Sequence, residues 1–370
     1  MKSTLLTLLG AAAAVMMIGG ASAQDMDSEK VLNVYNWADY IGPTTVEDFS
    51  KKYGIKVQYD NFGSGNELEA KVMAGHSGYD IIVPSTMFYP RGLKAGIFLP
   101  LDKSKLPNWK NLDEVMLKSV SDNGTDPGNK YAMPYIWGIA SYIYNVDMIK
   151  ERMPDAPTDS LRMIFDPEVV AKFKDCGVNF VDSPEDVVQL ALIYLGKSPN
   201  TKDLADIQAA YDLLAKVHPF VRTIDSANYM NALSAGDICI SVGWTGNDLL
   251  ANKRAQETGK TFTLKFVVPK EGAPMYLDNM MIPSDAPHPK NAHLFLDYIM
   301  SAAVAADITN SMGLPMANTA AKALVKPEIA GNTAIYPDAQ TMQRVIVQQV
   351  RTTEANQAVA AGWVRFKAGQ

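Results

Sequence analysis

The chain has 370 residues, 47% of them hydrophobic and 20% charged, a balance that belongs to an ordinary globular protein and excludes collagen, coiled-coil rods and disordered tails. At about 150 residues per domain the length allows two domains, each large enough to close its own core. The formal net charge of -6 leaves no basic excess for a nucleic-acid partner and fits a cationic ligand better.

In chain order, Met1 and Lys2 open an apolar run from Leu5 to Gly20, followed by Ala21-Ser22-Ala23 and Gln24. A charged start, an apolar core and a small-x-small site make a secretory signal peptide, with cleavage expected after Ala23. No basic flank follows Gln24 to stop transfer, which speaks against a retained anchor. Cleavage removes one charged residue, Lys2, so the mature chain carries -7 and is expected in the periplasm.

The mature chain opens with a predicted strand at 31–35, a helix at 44–53 stopped by Gly54, and a strand at 55–59. Helix-period residues at 67–74 then lead to the apolar run Ile81-Ile82-Val83, so the strand-helix-strand unit repeats and a parallel sheet follows. After Pro134 a second series is predicted: helix 167–174, strand 177–181, helices 184–195, 204–217 and 227–234, and strand 238–243. Strands at 261–268 and 275–282 precede helices at 291–300 and 302–311. The last quarter reads as helical, at 319–325, 339–350 and 353–366. No repeat of 20 to 50 residues appears, which sets aside solenoids and propellers.

The two cysteines, Cys176 and Cys239, would meet an oxidising compartment, so one disulfide is expected. It closes a loop of about 60 residues, worth at most about 4 kcal/mol by chain entropy. The histidines His76, His218, His288 and His293 show no metal-ligand spacing, and neither metal nor cofactor is expected.

Ligands of parallel sheets sit beyond the carboxyl ends of the strands. There the sequence places Asn36-Trp37-Ala38-Asp39-Tyr40, Pro84-Ser85-Thr86, Asp182-Ser183-Pro184-Glu185-Asp186, Trp244-Thr245-Gly246-Asn247-Asp248, and Tyr276 with Asp278 and Asn279. Singly, Trp37 and Trp244 also read as core aromatics, Asp39 and Ser183 as helix caps, and Asp278 as a turn residue. Together they describe a pocket walled by rings with carboxylates at its ends, which is what an alkyl ammonium needs: about 0.5 to 2 kcal/mol of cation-π attraction and charge-assisted hydrogen bonds. Enzyme signatures are missing: there is no GxSxG, GxGxxG, Walker loop or HExxH. Glu185 and Asp186 would be the acids of an exported glycan hydrolase, the rival class.

The strings Tyr35-Asn36-Trp37-Ala38-Asp39-Tyr40-Ile41, Val83-Pro84-Ser85, Pro100-Leu101-Asp102-Lys103-Ser104-Lys105-Leu106-Pro107, Cys176-Gly177-Val178, Gly236-Asp237-Ile238-Cys239 and Pro269-Lys270-Glu271-Gly272-Ala273 make the chain, from about 31 to 340, resemble the periplasmic polyamine-binding proteins of ABC importers, putrescine-binding branch. The resemblance implies a two-lobe, hinged α/β fold of the type II solute-binding class, with discontinuous lobes at 28–134 plus 258–315 and at 135–257 plus 316–370. It implies a monomer that is no enzyme, a polyamine ligand and an inner-membrane permease as partner. Putrescine is the first candidate; spermidine, agmatine and cadaverine are alternatives. Carried over by position, the contacts are Trp37, Asp39, Tyr40, Ser85, Trp244, Tyr276 and Asp278, with Asp39 and Asp278 sharing one ammonium and either Asp186 or Glu185 serving the other end. Ala38, Asn247 and Leu314 depart from the family pattern, as does Gly138-Ile139-Ala140-Ser141. Asp248 stands one place after the family's acid, so a helix starting there should turn it away and leave Asn247 facing the ligand.

Overall fold

The computed structural model describes residues 25–38, 40–122 and 126–370. The expected signal peptide and Asp39 lie outside the described residues. The strands are β1 (Val31–Trp37), β2 (Lys56–Phe62), β3 (Ile81–Ile82), β4 (Ala132–Asn145), β5 (Val178–Phe180), β6 (Thr223–Ile224), β7 (Ile240–Trp244), β8 (Leu264–Val267), β9 (Ala273–Met281) and β10 (Val345–Val347). They share one sheet in the order β2-β1-β3-β9-β4-β7-β5-β6, with β10 on β9 and β8 on β4.

Both halves of this sheet are built from parallel crossovers, as the sequence predicts. β1 runs parallel to β2 and β3, and β5 parallel to β6 and β7. The helix Thr45–Tyr53 that joins β1 to β2 buries Phe49, carries acids in its first turn and lysines in its last, and stops at Gly54 with φ 68, a left-handed turn that costs glycine nothing.

What joins the halves is β4, which the sequence reading missed. All 14 of its residues are buried. Residues 132–139 pair with β9, and 140–144 pair with β7, so this strand passes from one half to the other. Pro134 is tolerated because the register shifts between it and Ile136. A further segment runs alongside: the Trp137 amide donates to the Pro315 carbonyl (3.2 Å), and the Ala317 amide donates to the Tyr135 carbonyl (2.7 Å).

The first core gathers Leu32, Val34, Ile81, Tyr135, Phe295 and Leu296; the second gathers Phe165, Phe180, Val188, Leu214 and Trp363 and reaches into the first half at Tyr35 and Phe62. Two segments lie elsewhere than expected. β8 hydrogen-bonds to β4 at 142–145, in the second half rather than the first. Ala321, Val325, Ile329 and Ile335 pack into the first core although they follow residue 315. The expected helix 339–350 also divides. A single turn, Ala339–Met342, gives way to β10, whose β-branched Val345-Ile346-Val347 pairs with 273–275 of β9.

Cys176 and Cys239 form the expected disulfide, with Cα atoms 5.5 Å apart. They precede β5 and β7, and pin these parallel neighbours together at the end opposite Trp244. Among the described residues no helix is long and apolar enough to cross a membrane.

Candidate ligand-binding site

Asp278 sits on β9 opposite Ile136 of β4, and a β-bridge joins it to Ser85 beyond β3. Its carboxylate is 6% exposed and accepts a hydrogen bond from the Tyr40 hydroxyl at 2.7 Å. Tyr40 is itself held from behind. Its carbonyl accepts from the Tyr135 hydroxyl (2.7 Å) and from Asn36 Nδ2 (3.2 Å). Trp37, the last residue of β1, packs its half-buried ring on Phe62 at 4.4 Å.

The second carboxylate comes from the other half. Asp186 lies in the first turn of the helix Pro184–Tyr194, which opens with proline at its first position after Ser183. It is 6% exposed. Its Oδ2 accepts from the Ser183 hydroxyl (2.8 Å) and Trp244 Nε1 (2.9 Å), and its Oδ1 accepts from Gln348 Nε2 (2.9 Å). Glu185, one place earlier, is exposed. One residue along a helix turns a side chain by about 100°, so the network holds Asp186 and not its neighbour.

Tyr276 stands between the two acids. It pairs across strands with Gly138, and a Cβ built on that glycine would come within 2.3 Å of the phenol oxygen. The missing side chain is therefore what lets the ring lie over β4. Burial, with Asp278 and Asp186 both nearby, pushes the Tyr276 phenol well above its ordinary range. Burial and the negative charge of Asp186 push the Asp278 carboxyl up to about 7, against the pull of the Tyr40 hydrogen bond. Burial also raises Asp186, against its three donors and the more distant Arg351. Among the described residues no lysine or arginine lies within ion-pair distance of Asp278 or Asp186. Two buried acids that share an aromatic neighbour and have no cation in ion-pair contact are groups that a cation from outside would satisfy.

Asn247 opens the helix Asn247–Glu257 after Gly246. Its Oδ1 accepts from the Trp244 amide (3.1 Å) and the Tyr229 hydroxyl (2.6 Å). A backbone N–H can only donate, which fixes the oxygen of this amide inward. Asp248 turns away, as its position predicts: its Oδ2 accepts from the Phe266 amide of β8 at 3.2 Å. Trp37, Tyr40, Ser85, Asp186, Trp244 and Asn247 thus stand at or just beyond strand ends, as their sequence positions predict, whereas Tyr276 and Asp278 lie inside β9. Tyr135, Tyr229, Gln348 and Arg351 were not foreseen. The first two support other residues from within strand and helix; Gln348 lies inside, and Arg351 directly after, the stretch 339–350 that reads as helix.

The family model described as bacterial extracellular solute-binding protein matches residues 44–337. The chain belongs to this family. Over its whole length the solute-binding protein is 42% identical, across 371 residues, to the putrescine-binding periplasmic protein PotF of Escherichia coli, covering 100% of this chain and 99% of that one. It is 40% identical over 365 residues to the putrescine-binding periplasmic protein SpuD of Pseudomonas aeruginosa, with 98% of each chain covered. Among solved structures it resembles the spermidine/putrescine transporter substrate-binding protein PotD of Streptococcus pneumoniae, with TM-score 0.77, 26% identity, and 92% and 99% of the two chains covered.

Proposed function

We propose that this solute-binding protein is the substrate-binding component of a polyamine ABC importer, taking putrescine or a close relative between its two halves. Exported by cleavage after Ala23, it works as a periplasmic monomer and presents its closed, loaded form to an inner-membrane permease. The observation that carries the reading is the meeting of Asp278 and Asp186, buried acids from opposite halves, around Tyr276, with no cation in ion-pair contact among the described residues. One ammonium of the ligand donates to Asp278, beside Tyr40 and Ser85. The methylenes lie against Tyr276, Trp37 and Trp244, where each ring adds apolar area and cation-π attraction.

Asp278 belongs to the half that holds β1 to β3, and Asp186 to the half that holds β5 to β7. A ligand that touches both binds the closed arrangement better than the open one and shifts the equilibrium by that difference. Nothing is transformed, so the ligand is returned unchanged. A thermal-shift series with putrescine, cadaverine, agmatine, spermidine and spermine tests this, since a ligand at 100 times its Kd adds about 2.7 kcal/mol of stability. At least one amine should raise Tm. A flat response to all five overturns the reading.

A further inference from the structure

Arg351 is 4% exposed, and its Nε and Nη1 have no hydrogen-bond partner among the described residues. Its Nη2 reaches the Pro199 carbonyl at 3.4 Å. The segment leading to it is clipped in place: Asn200 Nδ2 donates to the Val347 carbonyl (2.9 Å), the Gln349 amide donates to Asn200 Oδ1 (3.0 Å), and Gln348 holds Asp186. These ties carry the guanidinium into the field of Glu185 first and of Asp186 behind it, beyond ion-pair contact with either. Arginine stays charged in such a place. The far end of the pocket is therefore provided with a cation of its own.

The acceptors at that end are also largely taken. Asp186 already has three donors on a carboxylate with room for about four. The Asn247 oxygen has two, and both of the atoms it faces are donors, so this amide turns its NH2 group, not its oxygen, to whatever else approaches. Asp278 differs: among the described residues it takes one donor, from Tyr40, and its charge interactions include no arginine. The two poles of the pocket are chemically unlike.

We propose that Arg351 is a specificity-determining residue that offsets part of the joint charge of Glu185 and Asp186, so that the pocket takes a full ammonium at Asp278 and at its far pole favours an uncharged, acceptor-bearing end over further ammonium groups. The ligand class is then a short alkylamine with one strongly held ammonium, and a mono-acylated diamine suits it better than a triamine. Arg351 acts through Asp186 and through the potential it sets; it is a positioning residue and need not touch the ligand. The inference rests on the amine-binding reading above.

The test is calorimetry of the wild-type protein, Arg351→Gln and Arg351→Lys against putrescine, N-acetylputrescine and spermidine. In the wild type, N-acetylputrescine should bind at least as tightly as spermidine. In Arg351→Gln the affinity ratio of spermidine to N-acetylputrescine should rise about tenfold, the effect of one charge across roughly 10 Å at an effective dielectric of 20. Arg351→Lys, which keeps the charge and loses the fork, should stay within about threefold of the wild-type ratio. A wild type that prefers spermidine overturns the proposal without any variant. So does an unmoved ratio in folded Arg351→Gln, or an equal shift in both variants, which would mark a packing role. Failure of the wild type to bind any amine would overturn the amine-binding reading itself, and is distinguishable because it precedes any comparison of variants.

Discussion

Among the described residues, Asp278 accepts one hydrogen bond, from Tyr40, where an ionised carboxylate has room for about four. That shortage makes it both the proposed binding acid and a liability. A carboxyl held near pH 7 in the folded chain and near 3.9 when unfolded binds a proton in the native state across that interval. Native stability from this group is therefore present at low pH and lost as pH rises from about 4 to 7, the reverse of a salt-bridged aspartate. Among the described residues, Tyr40, Tyr135, Tyr276 and Asp186 are the titratable groups that face it, and none of the phenols ionises in this range. An ammonium needs the carboxylate form, so polyamine binding near pH 6 should release close to one proton, and near pH 8.5 almost none. Calorimetry in buffers of different ionisation enthalpy reads this directly; equal proton release at both values would place the titration elsewhere. Asp278→Asn should weaken binding by roughly 2 to 5 kcal/mol and yet raise the ligand-free Tm at pH 8, because a neutral amide removes the buried charge. A lower Tm in that variant would mean that Asp278 supports the fold and not the ligand. At Asn247 the opposite change is informative. An aspartate there keeps one oxygen for Trp244 and Tyr229 and replaces the NH2 group by a charged acceptor, so Asn247→Asp should tighten putrescine by about tenfold, the scale of a charge pair near a protein surface. Unaltered affinity in a titration would show that the amide nitrogen does not face the ligand.

At the scale of elements, the acids and rings were legible because strand ends carry them: Trp37 closes β1, Trp244 closes β7, and Asp186 starts the helix after β5. The amphipathic helix Leu204–Val217 coincides with the predicted span because its apolar residues repeat at helical spacing between a capping Asp203 and a buried Val217. β4 left no such trace. A strand buried on both faces loses the alternation that marks a half-exposed one, and Pro134 and Gly138 inside it argue locally against a strand. Gln348 and Arg351 were hidden for a related reason: 339–350 has helical spacing, and pairing with β9 across more than 60 residues of sequence overrides it. Gly138 is the element-level control on the site. Gly138→Val favours the strand by propensity but occupies the space of the Tyr276 ring. The variant should fold, keep its disulfide, and bind putrescine at least about tenfold more weakly, the cost of displacing one aromatic wall. Wild-type affinity in Gly138→Val, measured by quenching of tryptophan fluorescence, would remove Tyr276 from the pocket.

For the molecule as a whole, two halves are joined by β4, β9 and the segment at 315–317, and one hydrophobic cluster runs through both, from Tyr35 and Phe62 to Phe180 and Trp363. Rotation of the halves needs these crossings to flex and the facing surfaces to meet closely. One close approach is visible. Gly246, at the start of the helix after β7, has φ 82, and a Cβ there would come within 2.5 Å of the Gly313 carbonyl and 3.3 Å of the Leu314 side chain. Gly313 ends the helix Ala302–Met312 of the first core and leads straight into the crossing segment. Gly246→Ala would meet both a left-handed backbone, which costs an alanine about 1 kcal/mol, and a carbonyl that cannot move without shifting the crossing. The strain falls on the arrangement in which the halves are near each other, so it should weaken ligand binding more than it lowers the stability of the ligand-free chain. Small-angle scattering can separate the two effects. The wild-type radius of gyration, about 20 Å for a chain of this size, should fall when putrescine is added, and the fall should be smaller or absent in Gly246→Ala at saturating ligand. If the variant contracts as fully as the wild type and binds as tightly, then the contact at Gly313 does not belong to closure, and the hinge works without it.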